Sequence, residues 1–303
     1  MAGAEPAPRR CGFVALIGAP NAGKSTLLNR LVGAKVSIVT PKVRTTRTRV
    51  LGIALSGDAQ IIFIDTPGIF EPRRRLDRAM VAAAWSGAAD ADLVVLLVDA
   101  EKGVSRDARR IVDGLAKAGR KAILALNKID LVRRDSLLAL SADLNASGVF
   151  TDTFMISATT GDGVDDLMSL LVARLPEGPW LYPEDQLSDM PERLLAAEVT
   201  REKLFLQLRQ ELPYALTVET EEWQDRADGS VRIGQVVYVQ RDSQKAIVLG
   251  KGGQRIKSVG AAAREELEGM LGCKVHLFLF VKVREKWGED PERYRDWGLD
   301  FDA

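Results

Sequence analysis

The chain has two cysteines, Cys11 and Cys273, and one histidine, His276, among 303 residues. So few ligands exclude a disulfide framework and a Cys/His zinc site. They also fit a reducing compartment. A Ser-His-Asp triad would need His276 as its base. That residue stands in the apolar run Val275-His276-Leu277-Phe278-Leu279-Phe280, which reads as a strand without chemistry. An excess of one charge is lacking as well: 42 basic residues face 42 acidic ones. A neutral chain has no wholesale cationic coat, so contact with nucleic acid must use a local patch. Long apolar runs are missing. The longest, Leu93 to Val98, is far below the ~20 residues that span a bilayer. No secretory signal is read either, because Ala2 to Arg10 is Pro/Ala-rich, ends in two arginines and runs on toward a glycine loop. The expected location is the cytoplasm, with peripheral membrane contact left open.

What is present suits folded domains: 46% hydrophobic and 28% charged residues, at a length that allows about two domains. Residues 1–10 read as a disordered tail. Over residues 11–178, short apolar runs alternate with helical patterns. Strands are expected at Phe13–Gly18, Val50–Leu55, Gln60–Asp65, Leu93–Asp99, Ala122–Asn127 and Thr153–Ser157. Helices are expected at Lys24–Gly33, Arg75–Ala88, Ser105–Ala118, Ser136–Ser147 and Val164–Leu175. This is an α/β, doubly wound, mostly parallel sheet covered on both faces, with one hairpin through Ser56-Gly57-Asp58. The stretch 179–190, after Pro176-Glu177-Gly178-Pro179, reads as a linker. Residues 191–286 give a helix Pro191–Glu211, strands Tyr214–Trp223 and Val231–Gln240, helices near Ser243–Val248 and at Gln254–Met270, and a strand Lys274–Val283. That order is a small α+β domain. Residues 287–303 form a tail rich in aromatics, expected to pack on the second domain, or else to act as a lid over bound RNA.

Gly18-Ala19-Pro20-Asn21-Ala22-Gly23-Lys24-Ser25, with Thr26 following, fits the phosphate-loop pattern G-x-x-x-x-G-K-S/T between a strand and a helix. Its glycines let backbone N–H groups face phosphate oxygens, at a helix N-terminus that favours anions. Lys24 neutralises the β- and γ-phosphates and Ser25 ligates Mg²⁺. Asn127-Lys128-Ile129-Asp130 ends a buried strand. The Asp130 carboxylate can accept from N1–H and the 2-amino group of guanine, donors that adenine lacks. Asn127 ties the base loop to the phosphate loop, Lys128 lies along the ring, and Ser157-Ala158-Thr159 supplies a backbone N–H to guanine O6. Asp65-Thr66-Pro67-Gly68 offers a carboxylate to Mg²⁺ through water and the Gly68 N–H to the γ-phosphate. Arg44-Thr45-Thr46-Arg47-Thr48 is the other switch. Either Thr45 or Thr46 completes the Mg²⁺ shell; Thr46 is taken as the ligand and as part of the catalytic set with Lys24, Asn21 and Gly68. Ile69 stands where Ras-like enzymes keep a glutamine, so another group must assist hydrolysis. Asn21 could hold a potassium ion there.

In the second domain, Gly250-Lys251-Gly252-Gly253 lies between two helices. Such a G-x-x-G loop clamps nucleic-acid backbone in KH domains. Lys245, Lys251, Arg255 and Lys257 supply charge, and no acidic residue interrupts 243–264. This island stands out because residues 182–303 carry 18 basic and 23 acidic residues. Two other basic groups, Arg73-Arg74-Arg75 and Lys42/Arg44/Arg47/Arg49, read as solvated switch surface in preference to RNA contacts.

Together GAPNAGKST, RTTR, DTPG, NKID and SAT, followed by IVLGKGGQRIK and a tryptophan-containing tail, resemble the Era family of bacterial GTPases, a P-loop GTPase domain followed by a type-II KH domain. The resemblance runs from about Gly12 to the last residues. It implies GTP hydrolysis with GTP/GDP and Mg²⁺. It also implies binding near the 3′ end of 16S ribosomal RNA, a role in assembly of the 30S subunit, and peripheral inner-membrane association. The hydrophobic residue at Ile69 matches the family; Arg44 departs from it, where many relatives have Gln. A monomer is expected. The alternatives are an RNA-placement factor for which GTP is only a slow clock, and a GTPase of tRNA modification or membrane function.

Overall fold

The computed structural model describes residues 9–43 and 45–303. The tail expected over 1–10 lies outside them as far as residue 8, as does Arg44. Two compact units divide the chain. One holds residues up to Ser37, Thr46–Asp189 and Tyr294–Ala303; the other holds Ile38–Thr45 and Met190–Arg293.

The first unit is a six-stranded sheet with helices. In chain order come β1 (Arg10–Gly18), α1 (Lys24–Val32), β2 (Val50–Ser56), β3 (Ala59–Asp65), α2 (Arg75–Asp90), β4 (Leu93–Asp99), α3 (Arg106–Lys117), β5 (Ala122–Asn127), α4 (Arg134–Asn145), β6 (Phe150–Ile156) and α5 (Val164–Arg174). The sheet order is β2-β3-β1-β4-β5-β6. All pairs are parallel except the β2–β3 hairpin. β3 to β5 are buried along their whole length except Leu93, as expected of parallel strands covered on both faces. The chain leaves β1 toward one neighbour and returns on the other side, so the C-terminal ends of β1, β3 and β5 gather at a topological switch point, where α/β sheets place their ligands.

Three stretches at the edges of the expected domains differ from the sequence reading. β1 starts at Arg10, inside the expected tail, because Arg10 pairs with Ala59 and its guanidinium donates to the Leu175 carbonyl at 2.6 Å. The stretch expected as a linker lies along the hairpin. Buried Gln60 accepts the Leu181 and Tyr182 N–H groups on Oε1 (2.8 and 3.0 Å) and donates to the Tyr182 carbonyl. Ser188 bridges to Gly52, and the Ile53 N–H reaches the Leu187 carbonyl. Edge strand β2 thereby gains backbone partners that would otherwise face solvent. The third difference is in the tail. Trp287 packs in the second unit, its indole N–H donating to the Ala215 carbonyl. Tyr294 and Leu299, by contrast, form a cluster in the first unit with Phe70, Ala79 and Met80. The Tyr294 and Phe301 rings meet edge to face at 5.0 Å, and the Arg75 guanidinium lies over Phe301.

The second unit runs α6 (Glu192–Gln207), β7 (Leu216–Asp225), β8 (Val231–Val239), α7 (Asp242–Leu249), α8 (Gln254–Leu271) and β9 (Val275–Val283). β7 and β8 are antiparallel, and β8 and β9 parallel. Core residues such as Leu204, Val237, Val259 and Val281 join helices and sheet. His276 is a half-buried residue of β9. The first helix ends at Gln207 instead of running to Glu211. Gln210 adopts φ 54°, and Pro213 follows, which removes a helix donor. The segment Ile38–Thr45 belongs here by its contacts. The Val39 N–H donates to Glu202 (2.8 Å), Lys42 Nζ to the Phe205 and Leu208 carbonyls around the end of α6, and Arg201 Nη2 to the Thr45 carbonyl (2.6 Å). Lys42 thus has a structural role, and Arg47 is buried, unlike the solvated surface expected for both.

Candidate functional site

The loop after β1 turns because its residues tolerate what the turn demands. Gly23 has φ 98°, and a Cβ there would come within 2.1 Å of Asn127 Nδ2. Asn21 takes φ 64°, which asparagine accepts more readily than most residues. α1 then begins at Lys24. Its ammonium is buried and donates to the Gly18 and Ala19 carbonyls at 3.2 and 3.1 Å. Burial lowers its pKa to about 8, with the Asp65 charge opposing.

Asp65 ends β3, paired in register with Leu16 of β1, which sets its carboxylate beside the loop. It is fully buried, and burial raises its pKa against the opposing pull of Lys24. Ser25 Oγ and Ser37 Oγ donate to Oδ2 at 2.6 and 2.9 Å, and Thr46 Oγ1 stands 3.0 Å from Ser25 Oγ. Among the described residues, Asp65 Oδ1 has no hydrogen-bond partner although it is buried. An orphaned carboxylate oxygen among three hydroxyls is an all-oxygen donor set, the kind that suits a hard divalent cation. The structure brings together Ser25, Thr46 and Asp65. It turns Thr45 elsewhere: its hydroxyl meets Thr40 Oγ1 and the Lys42 carbonyl. Thr66 also faces inward, donating to the Leu16 carbonyl.

Gly68 lies against the phosphate loop, where a Cβ would sit 2.9 Å from Pro20, and the Ile69 N–H donates to the Gly18 carbonyl. The Ile69 side chain is 1% exposed, in the main core. It does not line the site at all, so this position cannot orient a water through its side chain. We therefore expect Ile69→Gln to lower stability by about 1–3 kcal/mol, from an amide buried without partners, and to leave GTP hydrolysis no faster. Urea denaturation and single-turnover assays check both halves.

The base loop is tied to the phosphate loop through Asn127. Its Nδ2 donates to the Ala22 carbonyl at 2.8 Å, and its Oδ1 accepts the Ala158 N–H at 2.9 Å. Lys128, at φ 69°, pairs with Asp99 at 2.6 Å. Asp130 is exposed, open to a base. Ser157 is buried, its Oγ accepting the Thr160 N–H. Four participants escaped the sequence reading: Ser37, Asp99, Asn29, which holds the backbone of Val36 and Ser37, and Arg30. None carries a motif; only the fold brings them in.

In the second unit, Gly250, Gly252 and Gly253 have φ of 72°, 59° and 77°. A Cβ on Gly250 would meet Arg255 Cβ at 2.8 Å. Gly252 and Gly253 face open space, with no described atom within 4 Å of such a Cβ. Lys251 and Lys257 are exposed; Lys245 and Arg255 are half-buried, Arg255 donating to the Ile247 carbonyl. Left-handed glycines, two of them uncovered, flanked by cations match the loop geometry that lets a KH domain bring its backbone close to a phosphate chain.

Two family models match: "50S ribosome-binding GTPase" over residues 13–128 and "KH domain" over 211–288. The chain is 65% identical over 294 residues to GTPase Era of Rhizobium meliloti (strain 1021), covering 97% of this chain and 94% of that protein. It is 63% identical to GTPase Era of Dinoroseobacter shibae, with 97% of each covered. It superposes with TM-score 0.91 and 40% identity on a crystal structure of Era in complex with MgGDPNP and nucleotides 1506–1542 of 16S ribosomal RNA, covering 96% of this chain and 99% of that one. The corresponding values are 0.90 and 40% for an Aquifex aeolicus Era variant bound to GDP·AlF4⁻, covering 95% and 99%. Motifs, topology and near full-length identity agree: this chain belongs to the Era GTPases.

Proposed function

We propose that this chain hydrolyses GTP to GDP and phosphate, and that its nucleotide state gates binding of the KH loop near the 3′ end of 16S ribosomal RNA during assembly of the small subunit. The observation that carries the reading is the conjunction, in one chain, of the Lys24–Asp65–Ser25–Thr46 cluster tied through Asn127 to an exposed Asp130 and, in the second unit, a cationic G-x-x-G cradle. The relatives crystallised with MgGDPNP and 16S nucleotides, and with GDP·AlF4⁻, support it.

Lys24 offsets charge on the β- and γ-phosphates, and the Gly68 N–H holds the γ-phosphate. Ser25, Thr46 and Asp65 would hold Mg²⁺, which when bound offsets charge gathering on the phosphate oxygens. Asp130 selects guanine by accepting from N1–H and the 2-amino group. With Ile69 buried, Asn21 supplies the side-chain oxygen for a potassium ion. Loss of the γ-phosphate releases Gly68 and Thr46 together, an order change of the kind that gates partners. No described helix is long and apolar enough to cross a membrane. The chain acts in the cytoplasm with the ribosomal RNA. Its contact with the inner membrane is peripheral and secondary, because the acidic balance of residues 182–303 disfavours anionic headgroups.

The test is multiple-turnover GTP hydrolysis in potassium and in sodium buffer, with and without a 16S 3′-end fragment. Turnover that rises with potassium and with RNA is expected. Equal rates in all four conditions overturn the coupling and the potassium role. Tight GTP-dependent RNA binding without turnover favours the placement-factor reading.

A further inference from the structure

We infer that Arg30 is a positioning residue for guanine recognition: from α1, it orients the backbone donor that meets guanine O6. This rests on the reading above, in which the 157–159 loop faces the base. Arg30 stands six residues, less than two turns, beyond Lys24 on α1. Leu27, Leu28 and Leu31 of that helix enter the core, whereas Arg30 is exposed and reaches across to the loop after β6. Its Nε donates to the Ala158 carbonyl at 2.6 Å, and its Nη2 donates to the Thr159 carbonyl. Space for it is made by Gly161, at φ 100°, where a Cβ would come within 2.8 Å of Arg30 Nη1.

The consequence follows from peptide geometry. In a trans peptide the C=O and the next N–H point in opposite directions. Holding the Ala158 carbonyl toward Arg30 therefore turns the Thr159 N–H away from Arg30. The Ala158 N–H is already given to Asn127 Oδ1, so the next amide along, that of Thr159, is the one aimed by Arg30. The following peptide obeys the same rule: Arg30 takes the Thr159 carbonyl, and the Thr160 N–H turns back to Ser157 Oγ at 3.1 Å. A bidentate guanidinium fits this task better than an ammonium, because its fixed fork sets two carbonyls at once. Arg30 thereby links the helix that starts at the phosphate lysine to the loop that reads the base.

The test compares GDP with 6-thio-GDP, which keeps N1–H and the 2-amino group but presents sulfur, a weak acceptor, in place of O6. Titration calorimetry is run on the full chain, wild type and Arg30→Met, with Arg30→Lys as the conservative variant. The wild type is expected to prefer GDP by about tenfold or more. Arg30→Met should lose about tenfold in GDP affinity and little in 6-thio-GDP affinity, so that the preference collapses, while Arg30→Lys retains part of it. Because Arg30 is exposed, its loss leaves no core cavity. If Arg30→Met weakens both ligands equally, or keeps the full preference, the role assigned to Arg30 is wrong. If the wild type has no preference, the O6 reading of the 157–159 loop fails first.

Discussion

Asp130→Asn should exchange guanine for xanthine. The carboxylate is suited to two donors, N1–H and the 2-amino group; an amide meets the second with its own NH₂ and leaves both hydrogens facing each other. Xanthine carries an oxygen at position 2, which that NH₂ can bond, while the amide oxygen still accepts N1–H. Sites built on paired hydrogen bonds discriminate strongly, so GTP affinity is expected to fall about a thousandfold while XTP binding appears in the same range as GTP binding in the wild type. Asp130 is exposed and follows the end of β5, so the fold should tolerate the change. Asn127 would not give this result. It is buried and ties two loops together, so replacing it weakens every nucleotide alike. Calorimetric titration with GTP, XTP and ATP distinguishes the two residues, and a variant that gained ATP rather than XTP would sink the assignment of Asp130.

The second large effect belongs to the glycine cradle. Gly252→Asp combined with Gly253→Asp adds two negative charges to a stretch, 243–264, that has none. Both positions have room for a side chain, though in the left-handed region; of the larger residues, Asp and Asn adopt it most easily. The added carboxylates should repel the phosphate chain and lower affinity for a 16S 3′-end fragment about a hundredfold or more, with a shallower dependence on salt. GTP affinity should stay at the wild-type value, because its ligands all lie in the other unit. Gly250 makes a poor substitute for this test: a Cβ there strikes Arg255, so failure would reflect the fold of the loop. Filter binding at several salt concentrations reads the outcome, and RNA binding that survives the double substitution would remove the KH loop from the account.

The candidate nucleotide site was legible because its motifs are local. A phosphate loop needs its glycines and lysine within eight residues, and NKID and DTPG each end a strand that announces itself by continuous burial. The strand order then had to bring them together, and parallel pairing does so through Leu16–Asp65 and Asp99–Asn127. Which switch threonine turns inward was not legible, because nothing local separates Thr45 from Thr46, and the Thr45 carbonyl is taken by Arg201, far along the chain. Ser37, Asp99 and Arg30 were hidden for the same reason: each is a single polar residue whose partner lies far along the chain. The stretch 179–190 was misleading in a different way. Its prolines, Pro179 and Pro183, disfavour a helix, yet buried Gln60 captures it against the hairpin, an event no local pattern foretells.

The cluster around Phe70 has a further consequence for how the molecule is made. Phe70, Ala79 and Met80 are covered by Tyr294 and Leu299, which are translated roughly two hundred residues later. At about 5–20 residues per second, nascent polypeptides emerge N-terminal part first. The nucleotide-binding half therefore leaves the exit tunnel with one oily flank bare for tens of seconds, closing it only after the nucleic-acid-binding half has been threaded through.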